Sequence, residues 1–69
     1  MIILTIHAQE RLKQRHPDWN VNQCQNIARM AINGGTLLPG YDGCRRYRYL
    51  GYEFVVRNKK EDIIVITVV

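Results

Sequence analysis

The glycine pair at residues 34–35 divides the chain into two stretches of different hydrophobic periodicity, and no other feature constrains the fold as much. Before the glycines, apolar residues recur at the spacing of an amphipathic helix. After them come runs rich in tyrosine, phenylalanine, valine and isoleucine, separated by short turn sequences, as in β-strands. Helices followed by strands predict a fold of the α+β class.

Two helices are predicted before the glycine pair, over residues 6–16 and 20–33. Thr5 and Asn20 precede them as N-caps, because their side-chain oxygens accept hydrogen bonds from unpaired backbone N–H groups. Pro17 ends the first helix, since the residue before a proline is pushed out of the helical conformation. The glycine pair ends the second helix, with one glycine available for the left-handed position that often follows a helix.

The rest of the chain predicts an antiparallel sheet. Three strand-like runs are expected, over residues 44–50, 52–57 and 63–69. Residues 36–38 fit a short fourth strand, and residues 1–6 fit either an edge strand or a lead-in to the first helix. We therefore expect a single domain, residues 1–69, with two N-terminal helices packed on one face of an antiparallel sheet of roughly three to four strands.

Charge and cysteine content indicate which kinds of partner and which cell compartment to expect. Ten basic residues against six acidic ones give a net charge of +4, which favours nucleic acid or another polyanion as a partner. The N-terminus lacks the regions of a secretion signal, and no run is long enough to cross a membrane. We therefore expect a cytoplasmic protein without membrane association, in which Cys24 and Cys44 stay reduced. No metal-ligand spacing or phosphate-binding glycine loop is present, so neither a metal nor a cofactor is expected.

A first group of candidate anion-binding residues lies on the first helix. His7, Arg11 and Arg15 recur at i, i+4 and i+8, which places them along one stripe of that helix. Repulsion between like charges at this spacing is tolerated where an anion lies opposite. The alternative is an ordinary solvated helix face.

A second group lies in the strand that begins at Cys44, where arginines alternate with tyrosines. Alternation puts Arg46 and Arg48 on one face and Tyr47 and Tyr49 on the other. The tyrosines are expected in the core, which leaves the two arginines to meet phosphate, whose oxygens match the guanidinium fork. The alternative is an edge strand whose arginines prevent aggregation.

Motifs along nearly the whole chain occur in a recognisable order. They are His7-Ala8-x-x-Arg11-x-x-x-Arg15, a second helix, Arg46-Tyr47-Arg48-Tyr49-x-Gly51-Tyr52, and Ile66-Thr67-Val68. This order resembles a family of small bacterial and phage domains in the barnase–EndoU–colicin–RelE superfamily, which includes the RelE/ParE-like toxins. The resemblance implies a RelE/ParE-like fold, with two helices before a curved antiparallel sheet, and active members of that superfamily cut RNA without a metal ion.

The resemblance also implies roles for individual residues. His7 matches the general acid or base of a toxin-type endoribonuclease that cleaves through the RNA 2′-OH. Arg46 or Arg48 matches the arginine at the phosphate, and Thr67, the one polar residue late in the last strand, matches the hydroxyl. The remaining nucleic-acid contacts are expected from Arg11, Arg15, Arg45 and Arg46. The chain departs from the family pattern by being shorter than most RelE-like toxins.

Two other interpretations remain. In one, the same basic surface belongs to a non-enzymatic module, such as a small phage or bacterial inhibitor, that binds nucleic acid or a partner protein. In the other, the chain self-associates, or meets an antitoxin or another protein, through residues 63–69, which are apolar on both faces except Thr67. Without such a partner, that strand is expected to be central in the sheet, with residues 1–6 folding over its second face.

Overall fold

The computed structural model describes residues 1–69 and has an α+β fold of two helices and five strands. The elements, in chain order, are β1 (Ile2–Leu4), α1 (Ile6–Arg15), α2 (Val21–Gly34), β2 (Thr36–Tyr41), β3 (Cys44–Tyr49), β4 (Tyr52–Lys59) and β5 (Asp62–Val68). Both helices begin and end within a residue of the predicted bounds. Neither helix has the length and apolar character needed to cross a membrane.

The helix starts are those that the sequence predicts, but one helix end is not. The side chain of Thr5 caps α1, and Asn20 forms a complete capping box at the start of α2. At the end of α2, Gly35 is extended (φ −79°, ψ 173°) and not left-handed. A glycine is still needed there, because a Cβ atom would lie 2.5 Å from the carbonyl oxygen of Ala31 and 2.8 Å from that of Arg48.

The sheet has five strands in the order β1-β5-β4-β3-β2 and is mixed, whereas the sequence predicts three to four antiparallel strands. From β2 to β5 the pairs are antiparallel, but β1 runs parallel to β5, with Ile2 opposite Ile63. The additional strand forms because the apolar residues 2–4 pair with the backbone groups along the free edge of β5. The predicted short strand at residues 36–38 also extends further, to Tyr41.

Only one face of the sheet is covered by the helices. That covered face and the helices share one hydrophobic core, in which Leu12, Phe54 and Val56 are fully buried. The predicted alternation holds on β3, where Tyr47 is buried and Arg48 is exposed. The other face, which we term the open face, includes the side chains of Ile3, Cys44, Arg46, Arg48, Glu53, Val55, Arg57, Ile64 and Thr67.

The N-terminal segment does not cover the second face of β5. Residues 2–4 instead form an edge strand, one of the two structures predicted for this segment, and β5 lies inside the sheet between β1 and β4. The central position expected for the last strand is therefore confirmed, but the expectation that residues 1–6 fold over its second face is wrong. Val65 and Val68 are buried on the covered face, while Ile3 on the open face remains 37% exposed. The chain therefore leaves the open face uncovered.

Candidate nucleic-acid interface

The strand register brings three predicted site residues onto the open face. Arg46 on β3 lies opposite Val55 on β4, and Val55 lies opposite Thr67 on β5. Facing residues of neighbouring strands share one side of a sheet, so the side chains of Arg46, Val55 and Thr67 form a row. Arg48 stands in the next row of the same face, opposite Glu53.

Glu53 links the two arginines, although no sequence motif singled it out. Its Oε2 atom accepts a hydrogen bond from Nη1 of Arg46 at 3.0 Å, and its Oε1 atom lies 3.7 Å from Nη2 of Arg48. One carboxylate between two guanidinium groups leaves one positive charge uncompensated. Alternation with Phe54 would have placed Glu53 on the arginine side, but its partners depend on a register that only the structure gives.

The two arginines differ in how many donors they have free. The side chain of Arg46 is 25% exposed, and its Nε atom also donates to the carbonyl oxygen of Pro39 at 2.8 Å. The side chain of Arg48 is 60% exposed, and its guanidinium makes only the 3.7 Å ion pair with Glu53. Arg48 is therefore free to bind an anion, whereas Arg46 is fixed in place.

His7 lies near this face without joining it. The backbone N–H of Thr5 donates to the carbonyl oxygen of Val65 at 3.1 Å, and its hydroxyl donates to that of Ile66 at 2.8 Å. The start of α1 is thus anchored to β5 one residue before Thr67. His7 itself is exposed, and its side chain makes no hydrogen bond to Arg48, Thr67 or any other residue.

Further along α1, Arg11 is exposed and makes no ion pair, while Arg15 belongs to an aromatic cluster on the covered side of the sheet. The Cζ atom of Arg15 lies 5.0 Å from the ring centroid of Tyr52, a cation–π distance. His16 shares a 2.5 Å hydrogen bond with the Tyr52 hydroxyl through Nε2 and stacks on Trp19 at a centroid distance of 3.8 Å. The stripe on α1 therefore ends away from the open face.

Arg45 also lies off the open face, because alternation along β3 puts it on the side of Tyr47. Its Cζ atom lies 5.7 Å from the Tyr47 ring centroid, and its Nη2 atom donates to Oδ1 of Asn58 at 2.7 Å. Of the predicted nucleic-acid contacts, the structure thus brings Arg46 beside Arg48 but leaves Arg45 on the opposite side.

Tyr41 is an open-face residue that the sequence did not reveal, because it lies between two turn dipeptides. The pairing of β2 with β3 changes register between Leu38 and Tyr41 and then resumes with Tyr41 opposite Cys44. The two strands approach so closely at Gly40 that a Cβ atom there would overlap the carbonyl oxygen of Cys44. This irregularity brings the Tyr41 ring to 5.6 Å from the Cζ atom of Arg46.

Cys24 and Cys44 are both buried free thiols, in different surroundings. Cys24 lies on the buried side of α2, where burial raises the pKa of its thiol above the ordinary value. Cys44 lies under Arg57, whose Nη2 atom donates to its Sγ at 3.5 Å and to the carbonyl oxygen of Asp42 at 3.0 Å.

The open face is shallow. Val55 is only 4% exposed because Arg46 and Thr67 flank it. The surface has no pocket, and no group of three or more His, Cys, Asp or Glu side chains comes together. Comparisons with protein-family models, with curated proteins and with solved structures found no match. The chemistry of the face therefore has to be inferred from its own side chains.

Proposed function

We propose that the open face binds the phosphate backbone of RNA and that the protein is a metal-free endoribonuclease of the RelE/ParE-like toxin type. The observation that carries this proposal is a free guanidinium, Arg48, beside a fixed one, Arg46, on the same face as the Thr67 hydroxyl. Guanidinium groups bind phosphate through charge-assisted and often bidentate hydrogen bonds. A flat basic face also suits a polymer better than a small molecule, which needs a concave site.

The order of the elements supports a RelE/ParE-like fold. Both helices precede β2 to β5, which form a consecutive antiparallel meander, and both pack on one of its faces. β1 adds a parallel strand at the edge of that meander. A fold does not by itself determine activity, so the proposed activity rests on the residues of the open face.

In the proposed reaction, the RNA 2′-oxygen attacks the adjacent phosphorus and the bond to the 5′-oxygen breaks, which leaves a cyclic phosphate and a 5′-hydroxyl. His7 takes the 2′-OH proton or returns one to the leaving oxygen, since imidazole exists in both forms near neutral pH. Arg48 stabilises the charge that develops on the phosphorane, and Thr67 orients a phosphate oxygen. Of the other predicted contacts, Arg11 is exposed and binds a flanking phosphate, whereas Arg15 and Arg45 lie on the covered side of the sheet and take no part.

The test is incubation of the purified protein with a labelled single-stranded RNA in the presence of a metal chelator. We expect cleavage with cyclic phosphate ends, which His7→Ala abolishes without loss of RNA binding. Arg48→Ala should weaken binding and lower the slope of log affinity against log salt by about one. Arg29→Ala, an exposed charge loss on α2, is the matched control and should behave as wild type. Absence of RNA binding by the wild type would refute the proposal.

A second candidate function is a non-enzymatic module that binds nucleic acid or a protein through the same face. The observation that favours it is the absence of a pocket that would hold a scissile phosphate between His7, Arg48 and Thr67. RNA that is bound equally by the wild type and by His7→Ala, and cleaved by neither, would establish this second candidate over the first.

We also propose that a protein partner, either an antitoxin or a second copy of the chain, covers the part of the open face around β1 and β5. Ile3 is 37% exposed there, and Ile64 opposite it is half-buried. Burial of a fully exposed isoleucine stabilises by about 1.5–3 kcal/mol, so covering the part of each side chain that is still exposed contributes a fraction of that and is favourable. Sedimentation over a range of concentrations tests self-association, and a monomer throughout would leave an antitoxin as the partner.

A further inference from the structure

The contacts of Arg46 point to a role other than phosphate binding. Its Nε atom donates to the carbonyl oxygen of Pro39 at 2.8 Å, and its Nη1 atom donates to Oε2 of Glu53 at 3.0 Å. Two donors on the edge of the guanidinium are therefore already engaged. The flat face of a guanidinium is a separate binding surface, which interacts with aromatic rings. In Arg46 this group lies 5.6 Å from the ring centroid of Tyr41.

Tyr41 differs from the other tyrosines that contact an arginine. Arg45 lies over Tyr47, which is 9% exposed, and Arg15 lies over Tyr52, which packs against the core. Tyr41 is 54% exposed, so surface remains for a second flat group to stack on its ring.

The backbone around Tyr41 fixes the position of this ring. β2 changes register just before Tyr41, and Gly40 has no room for a side chain against Cys44. Irregularities of this kind often redirect a side chain beside a functional site. The ring is thus held by the edge of the sheet and by Arg46, and it loses little freedom when a ligand stacks on it.

We propose that Tyr41, held by Arg46, is a stacking site for an unpaired nucleobase of an RNA whose phosphate binds Arg48. Arg46 and Arg48 are two residues apart on one strand, a separation of about 7 Å, so the two sites lie within reach of the same short stretch of RNA. A base in a duplex is already stacked on both sides, whereas an unpaired base is free to stack on an aromatic ring. This inference rests on the proposed function and narrows its substrate to single-stranded RNA.

The test measures binding of a fluorescent single-stranded 2′-fluoro oligoribonucleotide, which has no 2′-OH and is not cleaved. Tyr41→Ala should weaken its binding by about 5- to 150-fold, the range found when stacking on a base is lost. Tyr41→Phe keeps the ring and should bind as wild type. The control is Leu37→Ala, a 62% exposed residue of the same strand that lies opposite Tyr47 and faces the other side. This variant should also bind as wild type.

Two further ligands separate stacking from charge. A duplex RNA, and an abasic ribose-phosphate oligomer of the same length, should each bind the wild type and Tyr41→Ala equally. Arg48→Ala should weaken binding of every one of these ligands, because it removes a phosphate contact.

The outcomes are distinguishable. If RNA binding depends on Arg48 but is unchanged in Tyr41→Ala, the stacking site is refuted and the proposed RNA-binding function stands. If Tyr41→Ala weakens duplex and abasic ligands as much as single-stranded RNA, the ring does not stack on a base, and the inference is again overturned. If the wild type binds none of these ligands, the proposed function itself fails. A thermal unfolding curve of Tyr41→Ala that matches the wild type confirms that the variant is folded.

Discussion

The covered face and the open face of the sheet are built from alternating residues of the same strands, but they have different compositions. On β4, Phe54 and Val56 are fully buried against the helices, whereas Glu53 lies on the other side and contacts two arginines. On β3, Tyr47 is buried and its neighbour Arg48 is exposed. Because side chains alternate between the two sides of a strand, one stretch of sequence encodes both a core and a charged surface. Substitutions on the covered face should therefore change stability, and those on the open face should change binding.

The largest expected effect breaks the covered face. Phe54→Ala should lower the free energy of unfolding by about 3–5 kcal/mol, because it removes a fully buried ring and leaves a cavity. A small domain has roughly 5–15 kcal/mol in total, so much of the molecule's stability would be lost. Urea unfolding followed by circular dichroism measures this loss. Arg48→Ala on the open face is the comparison, expected within about 0.5 kcal/mol of wild type. Similar losses in both variants would contradict the division between the faces.

The next effect tests the point where α2 meets the sheet. Gly35→Ala should cost about 1–3 kcal/mol, because the new Cβ atom would collide with the carbonyl oxygens of Ala31 and Arg48. Gly34→Ala is a matched control, since Gly34 is helical and has nothing within 4 Å of a new Cβ atom. It should stabilise by up to about 1 kcal/mol through better helix propensity. Thermal unfolding of the two variants compares them, and a stable Gly35→Ala would show that the backbone shifts easily there.

The covered face was largely predictable from the sequence, because its signals are local. The caps at Thr5 and Asn20 and the apolar spacing predicted both helices, and alternation on β3 predicted that Tyr47 enters the core. Pairing between segments that are distant in the chain was harder to predict from the sequence. The parallel strand at residues 2–4 depends on contact with residues near Ile63, which no local pattern records.

The open face was predictable only in part, for the same reason. Alternation assigns Arg46 and Arg48 to one side, but the side of Thr67 depends on the irregular pairing of β4 with β5, and the ion pairs of Glu53 require the register of β3 against β4. Tyr41 was not predicted as a site residue, because Gly40 before it is typical of a turn. In the structure, Gly40 instead allows β2 and β3 to approach closely.

The third prediction concerns the pH dependence of the covered face. Burial raises the pKa of the Cys24 thiol in the folded state above its ordinary value of 9.0, near which the thiol of the unfolded chain ionises. Above that pH the unfolded state loses this proton first, so stability falls as pH rises, by up to about 1.4 kcal/mol per pH unit. The free energy of unfolding of Cys24→Ala should fall less steeply with pH, although this variant is less stable than the wild type at neutral pH. Urea unfolding of both proteins from neutral to alkaline pH measures the difference, and parallel profiles would contradict it.

The smallest expected effect on stability, and the sharpest test of the open face, is Glu53→Gln. Ion pairs at a partly exposed site contribute roughly 0.2–1 kcal/mol each, so the free energy of unfolding should fall only slightly. RNA binding should instead strengthen several-fold, because the carboxylate that competes with phosphate for Arg48 is gone while the amide still accepts a hydrogen bond from Arg46. Fluorescence anisotropy at two salt concentrations measures this gain. A weaker complex would contradict this competition. It would mean that the charge of Glu53 holds Arg46 and Arg48 in the geometry that binds phosphate.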